Sequence, residues 1–239
     1  MNILITICAR GGSKGIPAKN IKLLNNLPLI SYTINSAKKF AKIYNADITL
    51  STDSIEIKNI SEKFDLYTDY IRPSELAQDE TSKIDALRDI WRFEENNRKL
   101  KYDYFLDLDI TSPLRTLEDL IKSFNILINH PEAINLYSVS PPARNPYFNM
   151  VELNNEGYAY VCKKLPNNIY TRQSAPKVYA VNASFYFYKR QFYENMYKTA
   201  TTDKTLIYDI PHLCFDLDEP IDFEFLSYLM SEKKLDFEI

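Results

Sequence analysis

Glycine is scarce in this chain: the 239 residues include only four, and Gly11, Gly12 and Gly15 fall within one short stretch. Cysteine is scarce too, and the three thiols are scattered in apolar settings without metal or redox spacing, which predicts buried thiols in a reducing compartment. No apolar run approaches the ~20 residues that span a bilayer. The apolar start lacks a basic segment and is cut short by Arg10, so we expect a cytoplasmic protein without a signal peptide.

Acidic side chains are absent from the first 46 residues, which carry seven Lys or Arg. The rest of the chain carries 22 basic and all 32 acidic side chains, so the net charge of −3 hides a strong asymmetry. The negative total argues against nucleic acid as a partner, whereas a local positive region suits a small polyanion. Histidine is rare, and neither His130 nor His212 lies in a motif with an acid or a nucleophile, so we predict no catalytic histidine.

Apolar runs alternate with helix-like segments along the first 140 residues. Strands are predicted at residues 2–9, 46–53, 66–73, 102–109 and 133–140, and helices at 29–43, 54–64, 81–97 and 116–129. Asp53 or Ser54 is expected to cap the second helix, and Thr81 or Ser82 the third. This alternation is typical of parallel βαβ units, and it predicts an α/β protein with a doubly wound, mostly parallel sheet covered by helices on both faces.

Ligands of such sheets bind beyond the carboxyl ends of the strands. The polar clusters that follow the predicted strands, at residues 10–20, 51–53, 72–82 and 109–115, are therefore candidate site residues.

The alternation stops at residues 141–177, which are rich in Pro, Asn and Tyr and predict a hairpin around residues 154–157. A bare loop of that length is uncommon in a compact domain. We therefore predict a small inserted lobe that serves as a dimerisation and sugar-site arm, and an α/β domain made of residues 1–140 and 178–239. In the second part, residues 179–190 predict a strand, and residues 213–230 predict a strand, two acids and a helix.

The stretch "ARGGSKGIPAKN" (residues 9–20) directly follows the first predicted strand. Glycine lets backbone N–H groups approach a phosphate closely, and Arg10, Lys14 and Lys19 add charge-assisted bonds to phosphate oxygens. The stretch matches neither the P-loop nor the dinucleotide template, and by itself a tight turn with solvated cations also fits. Three cations in an acid-free neighbourhood favour a phosphate site. Ser13 has no base at useful spacing, which excludes it as a nucleophile.

The same stretch resembles the opening signature of the acylneuraminate cytidylyltransferases, or CMP-sialic acid synthetases, which is close to A-R-x-x-S-K-G-[IL]-P-x-K-N. Further segments resemble later motifs of that family in order: "STD" at 51–53, "RPSELAQDETS" at 72–82, "TSPLR" at 111–115, "TRQSAP" at 171–176 and "FDLDEPIDF" at 215–223. The resemblance runs from residue 3 to about residue 229. It implies a Rossmann-like nucleotidyltransferase fold, a homodimer and CTP as substrate.

The resemblance also implies a set of site residues. The implied nucleotide-binding residues are Ala9, Arg10, Gly11, Ser13, Lys14, Lys19, Asn20, Arg72 and Ser82. The implied and candidate sugar-side residues are Asp109, Thr111, Ser112, Arg115, Arg172, Tyr179, Asn182 and Tyr186. The implied metal ligands are Asp216 and Asp218. Placed two apart on a strand, these carboxylates point to one face, and hard oxygens suit Mg²⁺.

Several of these residues have a second interpretation. Arg172 either pairs with the sugar carboxylate or is a surface arginine. The strand tyrosines either line the sugar pocket or pack in the core or an interface. Asp109 either binds the sugar or caps the helix that begins near Thr116, and without the resemblance Asp216 and Asp218 fit a solvated strand end.

Two positions depart from the family pattern. Asp109 stands where many sialic acid enzymes have glutamine, and Ala180 where many have an arginine, which removes a positive charge expected near the sugar. Both variants resemble relatives that activate nonulosonic acids of the legionaminic or pseudaminic type.

The expected reaction is CMP transfer from CTP to the anomeric hydroxyl of a nonulosonic acid. In it, Arg10, Lys14, Lys19 and Mg²⁺ stabilise the departing pyrophosphate, and Asp218, either directly or through a metal-bound water, helps to deprotonate the attacking hydroxyl. The alternatives are a different acceptor, such as 3-deoxy-octulosonate or a sugar 1-phosphate, and a non-catalytic module that binds CTP.

Overall fold

The computed structural model describes residues 1–12, 15–167 and 169–239 of the chain. The strands are β1 (Ile3–Cys8), β2 (Leu23–Leu24), β3 (Leu27–Pro28), β4 (Asp47–Ser51), β5 (Tyr104–Leu108), β6 (Asn135–Ser140), β7 (Val151–Leu153), β8 (Ala159–Val161), β9 (Ala180–Lys189) and β10 (Thr205–Asp209). The helices are α1 (Leu29–Tyr44), α2 (Ile55–Glu62), α3 (Lys83–Arg98), α4 (Leu117–Ile128), α5 (Arg190–Glu194) and α6 (Pro220–Ser231). In these ranges, no helix combines the length and the apolar content that crossing a bilayer requires.

The central sheet of the described residues has six strands in the order β10-β6-β9-β5-β1-β4. Strand β1 pairs in parallel with β4 and β5, and β6 pairs in parallel with β10. Strand β9 lies antiparallel between β5 and β6 and joins the two parallel halves. The predicted α/β fold with a mostly parallel sheet is confirmed.

Alternating side chains of β1 separate two hydrophobic cores, one on each face of the sheet. Ile3, Ile5 and Ile7 pack in the larger core with side chains of α1, α4 and α6. Leu4 packs in the smaller core, in which Trp91 of α3 stacks on Phe105 of β5 with ring centroids 4.2 Å apart. Helices therefore cover both faces, as the sequence predicts.

Helix starts follow the local capping chemistry. Of the two candidates for α2, the cap is Ser54, whose Oγ accepts a hydrogen bond from the backbone N–H of Ile57 at 3.3 Å. Helix α4 begins with a capping box in which Thr116 and Asp119 bond each other's backbone N–H groups. This box takes the place of a cap from Asp109, so that alternative for Asp109 is wrong. Ser82 occupies the N-cap position of α3 without a side-chain capping bond.

The strand predicted at residues 66–73 is wrong. This segment runs beside β4 and makes isolated hydrogen bonds to it and just beyond its end, such as Thr68 Oγ1 to the carbonyl of Leu50 at 3.1 Å and Arg72 N–H to the carbonyl of Thr52 at 2.9 Å. A β-favouring composition forms no strand where no continuous ladder is available. The sheet of the described residues therefore ends at β4.

The strand predicted at the start of residues 213–230 is also wrong, because the last strand comes earlier in the chain. Strand β10 makes its final ladder-like bond from the N–H of Ile210 to the carbonyl of Val139. Pro211 follows and has no N–H to extend the ladder. Residues 211–219 then cross the end of the sheet without regular structure, and α6 follows.

The predicted hairpin within residues 141–177 is confirmed. Strands β7 and β8 pair antiparallel, and the connecting turn places Gly157 at a φ of +87°. The Oδ1 atom of Asn154 accepts hydrogen bonds from the N–H groups of Glu156 and Tyr158 and so fixes the turn. Large side chains on this hairpin are exposed, including Leu153 and Tyr158, each 69% exposed. The hairpin therefore buries little of its own apolar surface.

A buried ion pair joins the segment after β10 to α4. His212 Nε2 lies 2.8 Å from Asp119 Oδ2, and the other oxygen of Asp119 accepts a hydrogen bond from the Tyr208 hydroxyl at 3.0 Å. The His212 ring also packs on Phe237, with ring centroids 3.8 Å apart. Burial is the largest single effect on the pKa of His212 and would lower it, but the bond to Asp119, the bond to the Leu213 carbonyl and the charges of Asp119 and Asp236 together raise it.

Replacing His212 by alanine should therefore destabilise the protein more at low pH than at high pH. A raised pKa in the folded state means that protonated His212 stabilises the fold below its unfolded pKa of about 6.5, and this contribution disappears as pH rises through the folded pKa. We expect the loss in unfolding free energy to be larger at pH 6 than at pH 9. Urea titrations at both pH values measure it. The exposed His130 provides the control: if His130→Ala shows the same pH dependence, the pair with Asp119 is not its source.

Candidate functional site

A cavity of about 440 Å³ opens beyond the carboxyl ends of β1, β4 and β5, the position expected for a ligand in this architecture. The cavity brings together predicted site residues from four separate segments of the chain. They are Arg10, Lys19, Asn20, Arg72, Ser82, Asp109, Thr111 and Asp218. The predicted residues Ser13 and Lys14 lie outside the described residues.

The turn after β1 is held by the "STD" segment that follows β4. The N–H of Ala9 donates to the carbonyl of Ser51 at 2.9 Å, and the N–H of Gly11 donates to Asp53 Oδ1 at 2.8 Å. Ala9 is fully buried and does not line the cavity. Two of the predicted motifs thus form one rigid corner of the site.

Of the glycines in this turn, Gly15 lies closest to another backbone segment, that of Asp218. A Cβ atom on Gly15 would lie 2.3 Å from the backbone oxygen of Asp218, whereas one on Gly12 would meet no atom within 4 Å. Gly15 is therefore required by the contact with the Asp218 segment and not by its own backbone angles. This contact brings the two ends of the chain together at the cavity.

Arg10 and Lys19 of the glycine-rich stretch pair with carboxylates or carbonyls across the cavity. Arg10 Nη1 lies 2.7 Å from Asp79 Oδ1. Lys19 Nζ donates to the carbonyl of Leu217 at 2.5 Å and lies 3.8 Å from Asp218 Oδ1. Both side chains line the cavity, so phosphate oxygens entering it meet cations that are already positioned.

Arg72 is fixed at the carboxyl end of β4. Its Nε and Nη2 atoms donate to the hydroxyl and the carbonyl of Ser51, each at 2.9 Å, and the side chain is 94% buried by surface area. Ser82, just before α3, lines the same part of the cavity. A fixed guanidinium beside a hydroxyl offers directional donors to the polar edge of a planar ring.

Lys83, which is not among the predicted site residues, lies at the base of the cavity. Its Nζ atom is 2.7 Å from a carboxylate oxygen of Asp107 and 2.7 Å from one of Asp109. Asp107 is fully buried, and apart from this ion pair neither of its oxygens has a hydrogen-bond partner among the described residues. The available signal was the pair of acids two positions apart in "FLDLD", which alternation places on one face of β5.

Burial and ion pairing act in opposite directions on this cluster. Burial would lower the pKa of Lys83, but the two carboxylates outweigh it and hold that pKa well above its usual value. Burial would raise the pKa of Asp109, but Lys83 and the bonds from Thr111 lower it to about 2. In the more deeply buried Asp107, desolvation dominates and raises the pKa. Lys83 and Asp109 are therefore charged at neutral pH.

Three predicted sugar-side residues are buried beneath the cavity and do not line it. Arg115 is 1% exposed, and its Nη2 atom donates to Thr33 Oγ1 at 2.8 Å and to the carbonyl of Asp109 at 2.5 Å. Ser112 Oγ donates to the carbonyl of Phe215, and Asn182 bonds two serines of β6. These side chains point into the protein: Ser112 and Arg115 hold the "TSPLR" loop, and Asn182 ties β9 to β6.

Arg172 and Tyr179 lie away from the cavity. Arg172 belongs to a second groove of about 390 Å³ formed by residues 141–145 and 172–178, and it donates to the backbone carbonyls of Pro142 and Ala143. Tyr179 is 36% exposed. Tyr186, in contrast, lies beside the cavity, with its ring centroid 5.5 Å from Lys83 Nζ. Burial raises the pKa of Tyr186 to about 12, so it stays protonated.

Asp216 and Asp218 lie on the irregular segment after β10, so the argument that a strand aims both to one face fails. The N–H of Leu217 between them donates to the carbonyl of Thr111 at 2.8 Å, which ties the segment to the "TSPLR" loop. Burial, with nearby Asp109, raises the pKa of Asp216, whereas Asp218 is 75% exposed.

The donor set of this segment fits a hard cation. In the described part of the chain, no group of three or more His, Cys, Asp or Glu side chains is placed to hold a metal. Two carboxylates are nevertheless enough protein ligand for Mg²⁺, which completes its octahedron with substrate phosphates and water. Asp216 and Asp218 match that requirement in number and in chemistry.

Comparison with known sequences assigns the family. The family model described as "Cytidylyltransferase" matches residues 4–235 of the chain. The chain belongs to the cytidylyltransferase family. Among its relatives, "Post-translational flagellin modification protein B" of Campylobacter coli is 39% identical, with 98% of this chain and 97% of the relative covered. The "CMP-N,N'-diacetyllegionaminic acid synthase" of Campylobacter jejuni is 37% identical over the same shares.

The solved structures agree on the fold of this cytidylyltransferase. A CMP:2-keto-3-deoxy-manno-octonic acid synthetase complexed with CTP superposes with a TM-score of 0.68 at 18% identity, over 98% of this chain and 100% of the other. At that identity the likeness concerns the fold alone. The resemblance inferred from the sequence motifs is thus confirmed for the family and for the fold class.

Proposed function

We propose that this cytidylyltransferase transfers CMP from CTP to the anomeric hydroxyl of a nonulosonic acid of the legionaminic type and releases pyrophosphate. The observation that carries the proposal is the cavity that Arg10, Lys19, Arg72 and Asp218 line together. Full-length similarity to a CMP-N,N'-diacetyllegionaminic acid synthase supports this acceptor class. The substitutions at Asp109 and Ala180, both on the sugar side, point to the same branch.

The nucleotide binds along the β1 and β4 side of the cavity in this proposal. Arg72 and Ser82 hold the cytidine, and Arg10 and Lys19 hold the triphosphate, with Lys14 of the same stretch assigned to it by the motif. Arg10 and Lys19 exchange their present pairing with Asp79 and Asp218 for phosphate oxygens. Because pyrophosphate leaves with added negative charge, these fixed cations stabilise the transition state more than the ground state.

Asp216 and Asp218 are the residues proposed to hold Mg²⁺. The ion, when bound, neutralises charge on the reacting phosphates. Asp218 has a second role, because its exposed carboxylate faces the cavity and accepts the proton of the attacking anomeric hydroxyl. The other contribution to catalysis is substrate positioning, because in-line attack on the α-phosphate requires the hydroxyl to be held within reach of phosphorus.

A substrate panel tests the proposal. The protein is incubated with CTP, Mg²⁺ and, separately, legionaminic, pseudaminic, N-acetylneuraminic and 3-deoxy-octulosonic acids, and pyrophosphate release is measured. We expect the highest kcat/KM with the legionaminic type, by about tenfold over N-acetylneuraminic acid, which is about 1.4 kcal/mol of discrimination. Omission of the acceptor is the control for CTP hydrolysis. If no acid on the panel releases pyrophosphate, the proposal fails and the non-catalytic CTP-binding module becomes the better interpretation.

The second candidate is activation of 3-deoxy-octulosonate. It is favoured by the fold likeness to the CTP-bound synthetase for 2-keto-3-deoxy-manno-octonic acid, which covers nearly all of both chains. The same panel decides between the two acceptors, because each acid is tested alone at equal concentration.

We further propose that residues 141–177 form a dimerisation lobe on the α/β domain of residues 1–140 and 178–239. The exposed apolar side chains of the β7–β8 hairpin support this, because a dimer interface would bury them. Sedimentation of the intact chain measures the assembly. A cytoplasmic location fits the use of CTP and the three cysteines, all of which are free thiols.

A further inference from the structure

The cavity has a second end that the nucleotide does not occupy in the proposed arrangement. In the sheet order β9-β5-β1-β4, the motif cations Arg10 and Lys19 follow β1, and Arg72 is anchored at the end of β4. Lys83 lies toward the other side, near Asp107 of β5, Asp109 just after that strand and the Tyr186 ring of β9. A ligand beside the nucleotide, over β5 and β9, therefore lies next to Lys83.

Few cations are available to that end of the cavity. Among the described residues that line it, the positively charged ones are Arg10, Lys19, Arg72 and Lys83. Arg10 and Lys19 belong to the phosphate end. Arg72 is anchored to Ser51 by two hydrogen bonds, at the end of the cavity where we propose that the cytidine binds. Arg172 lies in the separate groove within this chain. An acidic acceptor at the β5 and β9 end thus meets one cation of the described cavity lining, Lys83.

The ammonium of Lys83 is both held in place and open to the cavity. Its two ion pairs, to Asp107 and Asp109, use two of its three N–H donors and fix the long side chain, so little rotamer entropy is lost when a ligand binds. The side chain remains 38% exposed. Asp109 already accepts two hydrogen bonds from Thr111 on its other oxygen, which anchors the arrangement to the loop.

The buried charges around Lys83 nearly balance one another. Arg115 lies beneath Asp109 and donates to its carbonyl, and Asp216 is a further carboxylate near Asp109. Among the described residues at this end of the cavity, Lys83 is the cation whose side chain is open to a ligand. Asp107 contributes little to the cavity itself because it is fully buried beneath Lys83.

We propose that Lys83 binds the carboxylate of the acceptor sugar acid and thereby makes the enzyme specific for acids, with Asp107 as the positioning residue that holds it. This inference rests on the proposed function and names the residue that recognises the acceptor. It also explains why a buried strand carries Asp107, whose carboxylate has no partner besides Lys83 among the described residues.

The test compares a sugar acid with its methyl ester, which keeps the attacking hydroxyl and loses the carboxylate charge. We expect the wild-type enzyme to prefer the acid by about tenfold or more in kcat/KM. Lys83→Met should lower kcat/KM for the acid by a similar factor, mainly through KM, and leave the ester unchanged. CTP affinity, measured by calorimetry without acceptor, should stay within about twofold. Lys122→Met, at an exposed lysine that also pairs with a glutamate, is the control.

Three outcomes overturn the inference. The first is a Lys83→Met enzyme that still prefers the acid as strongly as the wild type. The second is a loss confined to CTP affinity, which would assign Lys83 to the nucleotide. The third is a wild-type enzyme that turns over acid and ester equally well. A wild type that is inactive with every acid instead contradicts the proposed function, on which this inference depends.

A second pair of variants tests whether Lys83→Met acts by disturbing the fold. Lys83→Met leaves the Asp107 carboxylate buried without a partner, so Lys83→Met combined with Asp107→Asn removes both charges. The double variant should show the same loss of acid preference. Asp107→Asn alone should raise KM for the acid with little change in kcat, because it frees the ammonium without removing it. A purely structural role for Asp107 would lower activity with acid and ester alike.

Discussion

Replacing Asp218 by alanine should lower kcat by about a hundredfold to ten-thousandfold, the usual range for the loss of a general base, while CTP still binds. The carboxylate lies at the cavity, 3.8 Å from Lys19 Nζ, and it is 75% exposed. Its removal therefore leaves no buried group without a partner, and the fold should persist. The effect is large because the same side chain is proposed to hold Mg²⁺ and to take the proton of the hydroxyl.

Pyrophosphate release measures turnover of this variant, and calorimetry measures its CTP affinity. Glu224→Ala, at an exposed acid on α6 a few residues downstream, is the matched control and should behave as the wild type. An Asp218→Ala enzyme with wild-type turnover would rule out both roles. A variant that no longer binds CTP would instead place Asp218 in the ground-state nucleotide site.

Replacing Gly15 by alanine should damage both stability and catalysis. The new Cβ would lie 2.3 Å from the backbone oxygen of Asp218, a distance that forces one of the two backbones to move. Overpacking of this kind costs about 1–3 kcal/mol. Because Lys19 and Asp218 sit on the two displaced segments, we also expect kcat/KM to fall by about tenfold or more, as small misplacements at a reacting centre do.

Thermal unfolding and steady-state kinetics measure the two effects of Gly15→Ala. Gly12→Ala is the control for stability, since a Cβ atom at Gly12 meets nothing within 4 Å. It should unfold at the wild-type temperature. If Gly15→Ala also unfolds and turns over like the wild type, the contact between the glycine-rich turn and the Asp218 segment does not constrain the site.

Much of the fold was predictable because local patterns and tertiary structure agree. The buried run that became β1 and the amphipathic run that became α1 have clear periodicities, and their ends fall within one or two residues of the prediction. The errors share one cause. Residues 66–73 and 213–219 have compositions that favour strands, but whether they form one depends on a partner strand, which the sequence does not display.

The site was predictable in part for a similar reason. Arg10 and Lys19 belong to the segment that directly follows β1, and parallel topology brings such segments to one edge. Arg72 reaches the same edge because its guanidinium bonds Ser51 at the end of β4, although the residues before it form no strand. Arg115 and Asn182 also come from motif-like segments, yet their side chains point into the core. The direction in which such a side chain points is set by how its segment packs in the folded protein.

The sequence by itself determined the family, the α/β architecture and the concentration of positive charge behind the first strand, since each is written in contiguous residues. Only the tertiary structure decided which groups meet in the cavity. Lys19 bonds the carbonyl of Leu217, 198 residues away, and Lys83 at the start of α3 reaches Asp107 of β5 and Asp109 just after that strand. Such contacts depend on strand order and on backbone approach, as at Gly15, and neither leaves a periodic signal in the chain.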